Sequence, residues 1–185
     1  MDRVADAFAA VPRGEFLPPT QQRFAGQDAA LDIGYGVTNS QPTTVRNMLR
    51  LLDVLPGHRV LDVGSGSAWT TALLAWLVGD KGEVVGVERI PEVLAMGLAN
   101  LGHRFSWASL HDAESGALGW PKAAPYDRIL VSADAHSLPA ELVDQLVVGG
   151  VMVLPVQGVM QRVTRLEDEV VVEEHGRYLF VPLLE

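Results

Sequence analysis

The sequence predicts an α/β fold: a doubly wound, mostly parallel seven-stranded sheet with helices on both faces and a C-terminal antiparallel hairpin. Two observations carry this. Strand-length apolar runs alternate with segments of helical periodicity, the pattern of strands joined by crossover helices. One of those runs, Arg59 to Val63, passes directly into glycines, the kind of junction at which such sheets bind ligands.

In chain order, Asp2 to Ala10 reads as a short helix. The following residues, to about position 40, are broken by Pro12, Pro18, Pro19, Gly26, Gly34 and Gly36, and irregular chain is expected there. Val45, Met48, Leu49 and Leu52 share one face of a helix from Thr43 to Leu52, which Pro56-Gly57 ends. Arg59–Val63 is a short buried strand, Trp69–Val78 a helix and Glu83–Val87 a second strand. Pro91 is tolerated in the first turn of the helix that runs to Leu101. Arg104–Leu110 is expected as the third strand, Arg128–Ser132 as the fourth, Pro139–Leu146 as a helix, and Val151–Val156 as a strand after Gly149-Gly150. Gln161–Leu166 and Val170–Phe180 alternate as two antiparallel strands about an acidic turn. No repeat or linker divides the chain, so one domain is expected, with residues 1–55 extending a core of residues 56–185.

Composition narrows the chemistry. The 185 residues hold 23 acids, 14 bases and no cysteine, for a formal charge of −9, and 48% are hydrophobic. That is enough apolar material for a packed core. The lack of cysteine excludes disulfides, thiolate metal sites and cysteine nucleophiles. Net negative charge disfavours a nucleic-acid partner. No apolar run approaches the roughly 18 residues of a spanning helix, and Met1-Asp2-Arg3-Val4 does not open a signal peptide, so a cytoplasmic protein without membrane attachment is expected. His58, His103, His111, His136 and His175 form no i, i+4 pair, and no metal site is expected. Glu167, Asp168, Glu169, Glu173 and Glu174 read as a solvated hairpin.

The strongest local signal is Asp62-Val63-Gly64-Ser65-Gly66-Ser67-Ala68, where a buried strand enters a glycine turn that opens a helix. Glycines there allow a tight turn and close backbone approach to a ligand. A dinucleotide fingerprint needs glycine at the first, third and sixth positions, and the sixth from Gly64 is Trp69, so NAD is disfavoured. The acidic-x-Gly-x-Gly spacing of Asp62, Gly64 and Gly66 instead resembles class I S-adenosylmethionine-dependent methyltransferases, with Ala68 in place of their usual third glycine. In that pattern Asp62 helps hold the donor's ammonium, with Ser65 and Arg89 beside the cofactor. Glu88 ends the second strand, where a carboxylate can accept both ribose hydroxyls. Read without that pattern, Asp62 caps a helix and Glu88 pairs with Arg89 on the surface.

Four further blocks are similar to the protein-L-isoaspartate (D-aspartate) O-methyltransferase family. They are Val11-Pro12-Arg13-Gly14-Glu15-Phe16-Leu17-Pro18; Ile33-Gly34-Tyr35-Gly36-Val37-Thr38-Asn39-Ser40-Gln41-Pro42; Gly119-Trp120-Pro121 with Ala124-Pro125-Tyr126-Asp127-Arg128-Ile129; and Phe180-Val181-Pro182-Leu183. The resemblance implies a Rossmann-like methyltransferase fold that uses S-adenosyl-L-methionine, releases S-adenosyl-L-homocysteine, and esterifies isoaspartyl and D-aspartyl residues of damaged peptides and proteins. The ester then loses methanol to a succinimide. It implies Ser40 as the active-site residue; Ile33, Tyr35, Thr38, Gln41, Ala133, Asp134 and His136 on the substrate side; and Asp112 near the adenine, in a segment whose flanking glycines are missing here. Trp69 and Trp120 are expected near the cofactor or substrate mouth. A monomer is expected.

A carboxylate is already ionised at neutral pH, so methyl transfer to it needs no general base, and placement of the reactants carries the rate. Ser40 would orient rather than attack; its structural alternative is the N-cap of a proline-started helix. Departures from the family pattern lie at Thr43, Leu179 and the Ala133-Asp134-Ala135-His136 loop. There Asp134 would repel an incoming carboxylate unless positive charge offsets it, or else it caps the following helix. A different carboxyl acceptor in peptide biosynthesis, or a binding protein without turnover, are the alternatives these departures leave open.

Overall fold

The computed structural model describes residues 2–113 and 116–183. Helix α1 (Arg3–Ala10) starts at Asp2, whose carboxylate accepts the Ala5 amide, and buries Ala7. Two short 3-10 turns follow, Arg13–Phe16 and Gln22–Phe24. Where irregular chain was expected, β1 (Leu31–Gly34) and β2 (Val37–Asn39) pair as an antiparallel hairpin. Tyr35 and Gly36 make its turn with φ of 58° and 77°, the left-handed pair that suits a two-residue hairpin loop.

Helix α2 (Pro42–Leu52) is followed by β3 (Arg59–Val63), α3 (Trp69–Val78), β4 (Glu83–Glu88), α4 (Pro91–Leu101), β5 (Ala108–Asp112) and β6 (Tyr126–Val131). The chain closes with α5 (Ala140–Asp144), β7 (Leu146–Val156), β8 (Val159–Arg165) and β9 (Val170–Arg177). Several expected boundaries shift, most of all at the third strand, the α5–β7 junction and the last strand. The third strand is Ala108–Asp112 rather than Arg104–Leu110, because Phe105 and Trp107 serve packing: their rings meet edge-on at 5.5 Å and the Trp107 indole donates to the Ala75 carbonyl. Helix α5 stops at Asp144, and β7 begins at Leu146 and takes in Gly149-Gly150. The last strand ends at Arg177, not Phe180.

The seven strands lie in the order β5-β4-β3-β6-β7-β8-β9. β5, β4, β3, β6 and β7 run parallel, and β8 and β9 return antiparallel. Alternation along the strands feeds two cores. Val60, Leu130, Val151 and Val153 join α1, α2 and α3 on one face. Leu61, Val63, Ile129, Val131, Met152 and Leu154 meet Leu142 and Val143 of α5 on the other. Connections leave β3 and β6, adjacent in the sheet, toward opposite sides, and the crevice outside their carboxyl ends is where such sheets receive ligands. No helix among the described residues is long and apolar enough to cross a membrane.

Candidate active site

A cavity of about 490 Å³ opens in that crevice. The loop leaving β3 forms its floor: Gly64 and Gly66 carry φ of 75° and 55°, and Ala68, at 72°, completes the turn into α3. Ala68 holds the left-handed backbone with a Cβ present, at a cost of about 1–2 kcal/mol, which is why glycine suits this place. No atom lies within 4 Å of where a Cβ on Gly66 would stand, so the backbone is laid open there. The hydroxyl of Ser65, also in the wall, is buried with no partner among the described residues.

Glu88, at the end of β4, supplies the facing wall and is 8% exposed. Its Oε1 accepts the amides of Arg89 (2.8 Å) and Ile90 (3.0 Å), and its Oε2 accepts that of Gly66 (2.9 Å). An ionised carboxylate has about four acceptor positions, so one remains for a ligand hydroxyl while the Gly66 amide is held. Gripping both hydroxyls of a ribose requires Glu88 to release Gly66. Glu88 is thus a brace of the glycine loop as well as a wall, rather than the surface partner of Arg89. Ala113 and residues 116–119, after β5, close the far end.

Asp62 does not line the cavity. It is fully buried beneath the loop, where Oδ2 accepts the hydroxyls of Thr71 (2.7 Å) and Thr70 (2.8 Å), while Oδ1 has no partner among the described residues. Burial pushes its pKa up to about 6, against the pull of the two threonines and with a further push from Glu88. Asp62 thus supports α3's first turn through Oδ2, and its Oδ1 is the oxygen left for any contact with a donor.

The opposite mouth is built from distant segments. Thr38, Asn39 and Ser40 enter from the hairpin, Ser132 and Ala133 from the end of β6, and Val181 to Leu183 from the chain's last described residues. Thr38, Ser40, Ser132 and Val181 also line a second groove of about 890 Å³, which Gln41, Thr43, Asp134 and Tyr178 to Phe180 extend. Ser40 thus stands where the two spaces meet. Asp28 fixes the start of α2 by accepting the amide and hydroxyl of Thr43 and the side-chain amide of Gln41.

The Asp134 carboxylate has a hydrogen-bond donor: it accepts the Gly158 amide at 3.0 Å, so it ties down the Gln157-Gly158 turn instead of capping α5. Its backbone also pairs with Val181 and Leu183, drawing the terminal segment to the mouth.

Of the expected site residues, Ser40, Gly64, Ser65, Gly66, Glu88, Arg89, Thr38 and Ala133 line the cavity, and Gln41 and Asp134 line the groove. Besides Asp62, four others stand outside both. Ile33 is buried with Leu17 and Val93 in a separate apolar cluster, and Tyr35 projects from the hairpin turn at 59% exposure. His136 is exposed and contributes its carbonyl to Gln157. Asp112 is exposed at the end of β5, where its neighbour Ala113 reaches the cavity instead. Trp69 lines the cavity; Trp120, next to the lining residue Gly119, stacks on His111 at 4.4 Å and is not itself in the lining. Asn39 and Ser67, not singled out from the sequence, are buried at the junction of the two halves. A polar residue predicted to be in irregular chain gave no sign of burial. Among the described residues no three acid or histidine side chains gather in a way that could hold a metal.

The open backbone over Gly66, the unpartnered Ser65 hydroxyl and the Glu88 carboxylate give the cavity a floor and polar contacts suited to an adenosyl donor. This sheet and cavity define a class I S-adenosylmethionine-dependent methyltransferase. Comparison with known proteins is more particular. The family described as protein-L-isoaspartate(D-aspartate) O-methyltransferase matches residues 1–185. The chain is 45% identical over 192 residues to the protein-L-isoaspartate O-methyltransferase of Methanopyrus kandleri, covering 99% of this chain and 84% of that one. It is 48% identical over 155 residues to the enzyme of that name from Anaeromyxobacter dehalogenans, covering 83% and 73%. A Plasmodium falciparum protein titled a putative protein-L-isoaspartate O-methyltransferase, solved with S-adenosyl-L-homocysteine, superposes with a TM-score of 0.88 at 25% identity, covering 100% of this chain and 91% of that one. The chain belongs to the protein-L-isoaspartate(D-aspartate) O-methyltransferase family.

Proposed function

We infer that this chain transfers a methyl group from S-adenosyl-L-methionine to the free carboxylate of an isoaspartyl (or D-aspartyl) residue in a peptide or protein, leaving S-adenosyl-L-homocysteine. The observation that carries the reading is the meeting of the two spaces at Ser40: a cavity of about 490 Å³ suited to the donor joins a groove of about 890 Å³.

The bound donor supplies a sulfonium methyl that a carboxylate oxygen can displace in line, forming a C–O bond as the C–S bond breaks. The protein's share is placement. The glycine loop, with Ser65, Glu88 and the segment after β5, would hold the donor. At the junction the Ser40 hydroxyl would donate to one carboxylate oxygen and leave the other facing the methyl group. Thr38 offers a second hydroxyl there, and Gln41 and the Tyr178–Phe180 segment would seat the flanking peptide. No proton is transferred in the step, which fits a serine whose hydroxyl has no basic side-chain partner among the described residues. The opposite charges of the reactants cancel as the methyl moves, so a recessed site that sheds water favours reaction.

The Gly158 amide orients the Asp134 carboxylate without cancelling its charge, so the acceptor carboxylate would approach at Ser40 rather than at Asp134. The account rests on the isoaspartyl linkage being selected. Base-labile methyl ester on a synthetic isoaspartyl peptide, compared with its normal aspartyl twin, tests this: ester on the first and at least about 100-fold less on the second is expected. Equal or no labelling of the two would remove the reading.

A further inference from the structure

A buried arginine that touches neither space holds the two halves of the site together. Arg13 is 6% exposed and lines neither the cavity nor the groove. Its Nε donates to Asn39 Oδ1 at 2.7 Å and its Nη1 to the Gln27 carbonyl at 3.0 Å. Its Nη2 reaches the carbonyls of Ala29 (2.8 Å), Asn39 (3.0 Å) and Ser40 (2.9 Å). The Asn39 and Ser40 carbonyls belong to the two peptide planes that flank the Ser40 Cα. One nitrogen pins both planes, so the backbone torsions of Ser40 are set and its hydroxyl retains only side-chain rotation.

The same residue reaches the donor side. Asn39, held by the Arg13 Nε, donates its side-chain amide to Ser67 Oγ at 3.2 Å, within the glycine loop. The guanidinium also lies over the ring of Trp69, 5.4 Å from its centroid, and the Trp69 indole donates to the Val11 carbonyl at 3.2 Å.

We propose that Arg13 is a positioning residue for methyl transfer: through Asn39 it fixes the acceptor-side Ser40 relative to the donor loop at Ser67. The geometry demands arginine. Lysine could keep the charge but has no planar fork, and it cannot donate to carbonyls on separate segments from one rigid group. Although burial lowers its pKa to about 10, Arg13 stays cationic at neutral pH. A positive group behind the backbone that faces an incoming carboxylate complements that carboxylate.

The proposal rests on the role of Ser40 given above, and its test separates the two. Arg13→Lys is expected to lower kcat on an isoaspartyl peptide by about 10- to 100-fold, the loss of one or two charged hydrogen bonds. S-adenosyl-L-homocysteine affinity, by calorimetry, should stay within about threefold, since Arg13 does not touch the cavity. In a Ser40→Ala background the same replacement should lower kcat by less than about threefold, because the hydroxyl it positions is gone. Asn39→Ala, which leaves the guanidinium on its backbone carbonyls, gives an independent reading should Arg13→Lys not fold; a kcat loss of about 3- to 30-fold is expected. Parental kcat in both folded variants, or an equal loss with and without the Ser40 hydroxyl, overturns the proposal. Full kcat in Ser40→Ala alone would instead overturn the role of Ser40.

Discussion

The two halves of the site are made differently. The donor half comes mostly from one continuous stretch, β3 through the glycine loop into α3, braced by the adjacent strand end at Glu88. Its geometry follows from neighbours in sequence: a buried strand, left-handed turn residues and a helix start. The acceptor half is gathered from the Arg13 segment, the β1–β2 hairpin, the end of β6 and the terminal Val181–Leu183 segment, over 160 positions apart in the chain, and is held by cross-links such as Arg13–Ser40 and Asp134–Gly158. A local scaffold can be rigid before any ligand arrives, whereas a converging one depends on every tie. Replacing a donor-side residue should therefore act on donor affinity, and replacing an acceptor-side residue on turnover.

The largest separation is expected at Glu88. Glu88→Ala removes the acceptor of three backbone amides together with a wall of the donor cavity, and donor affinity should fall by at least about 100-fold, or about 3 kcal/mol, by calorimetry. A change under about threefold would mean that Glu88 braces the loop without meeting the donor, and would weaken the contrast.

Asp62 sharpens it from beneath the loop. Its folded pKa of about 6 lies above the ordinary 3.8, so the stability it contributes is complete below about pH 4 and is lost as pH rises through 6. Asp62→Asn keeps the shape without the ionisation cost. Relative to the parent it should gain up to about 3 kcal/mol between pH 4 and pH 8 in urea unfolding. Donor affinity should change by less than about threefold, since Asp62 does not line the cavity. A tenfold loss of affinity would instead place the donor's ammonium against the unpartnered Oδ1.

What could be read in the sequence follows the same divide. The spacing of Asp62, Gly64 and Gly66 located the donor loop because its conformation is dictated within a few residues, and Glu88 followed from the strand that ends beside it. Yet spacing alone could not reveal that Asp62 lies under the loop with one oxygen on Thr70 and Thr71. On the acceptor side, Ser40 was reachable only through resemblance. The hairpin that carries it was hidden by Gly34 and Gly36, which read as irregular chain, although Tyr35-Gly36 between Leu31–Gly34 and Val37–Asn39 is a two-residue turn signal. The motif placed Tyr35 and Ile33 on the substrate side; the turn leaves Tyr35 exposed, and the pleat buries Ile33, neither of which the motif alone could tell. Arg13 and Asn39 gave no local sign of burial, since their partners lie 14 or more positions away in the chain. The third strand was misplaced because the apolar pattern of Phe105 and Trp107 reflects packing onto α3, not a pleat.

The separable division of the site is tested most directly by Ser40→Ala, with kcat on a saturating isoaspartyl peptide measured beside the dissociation constant for S-adenosyl-L-homocysteine. The account predicts a kcat at least about tenfold lower and a dissociation constant within about twofold of the parent. Equal losses in both quantities, or turnover unchanged, would contradict it.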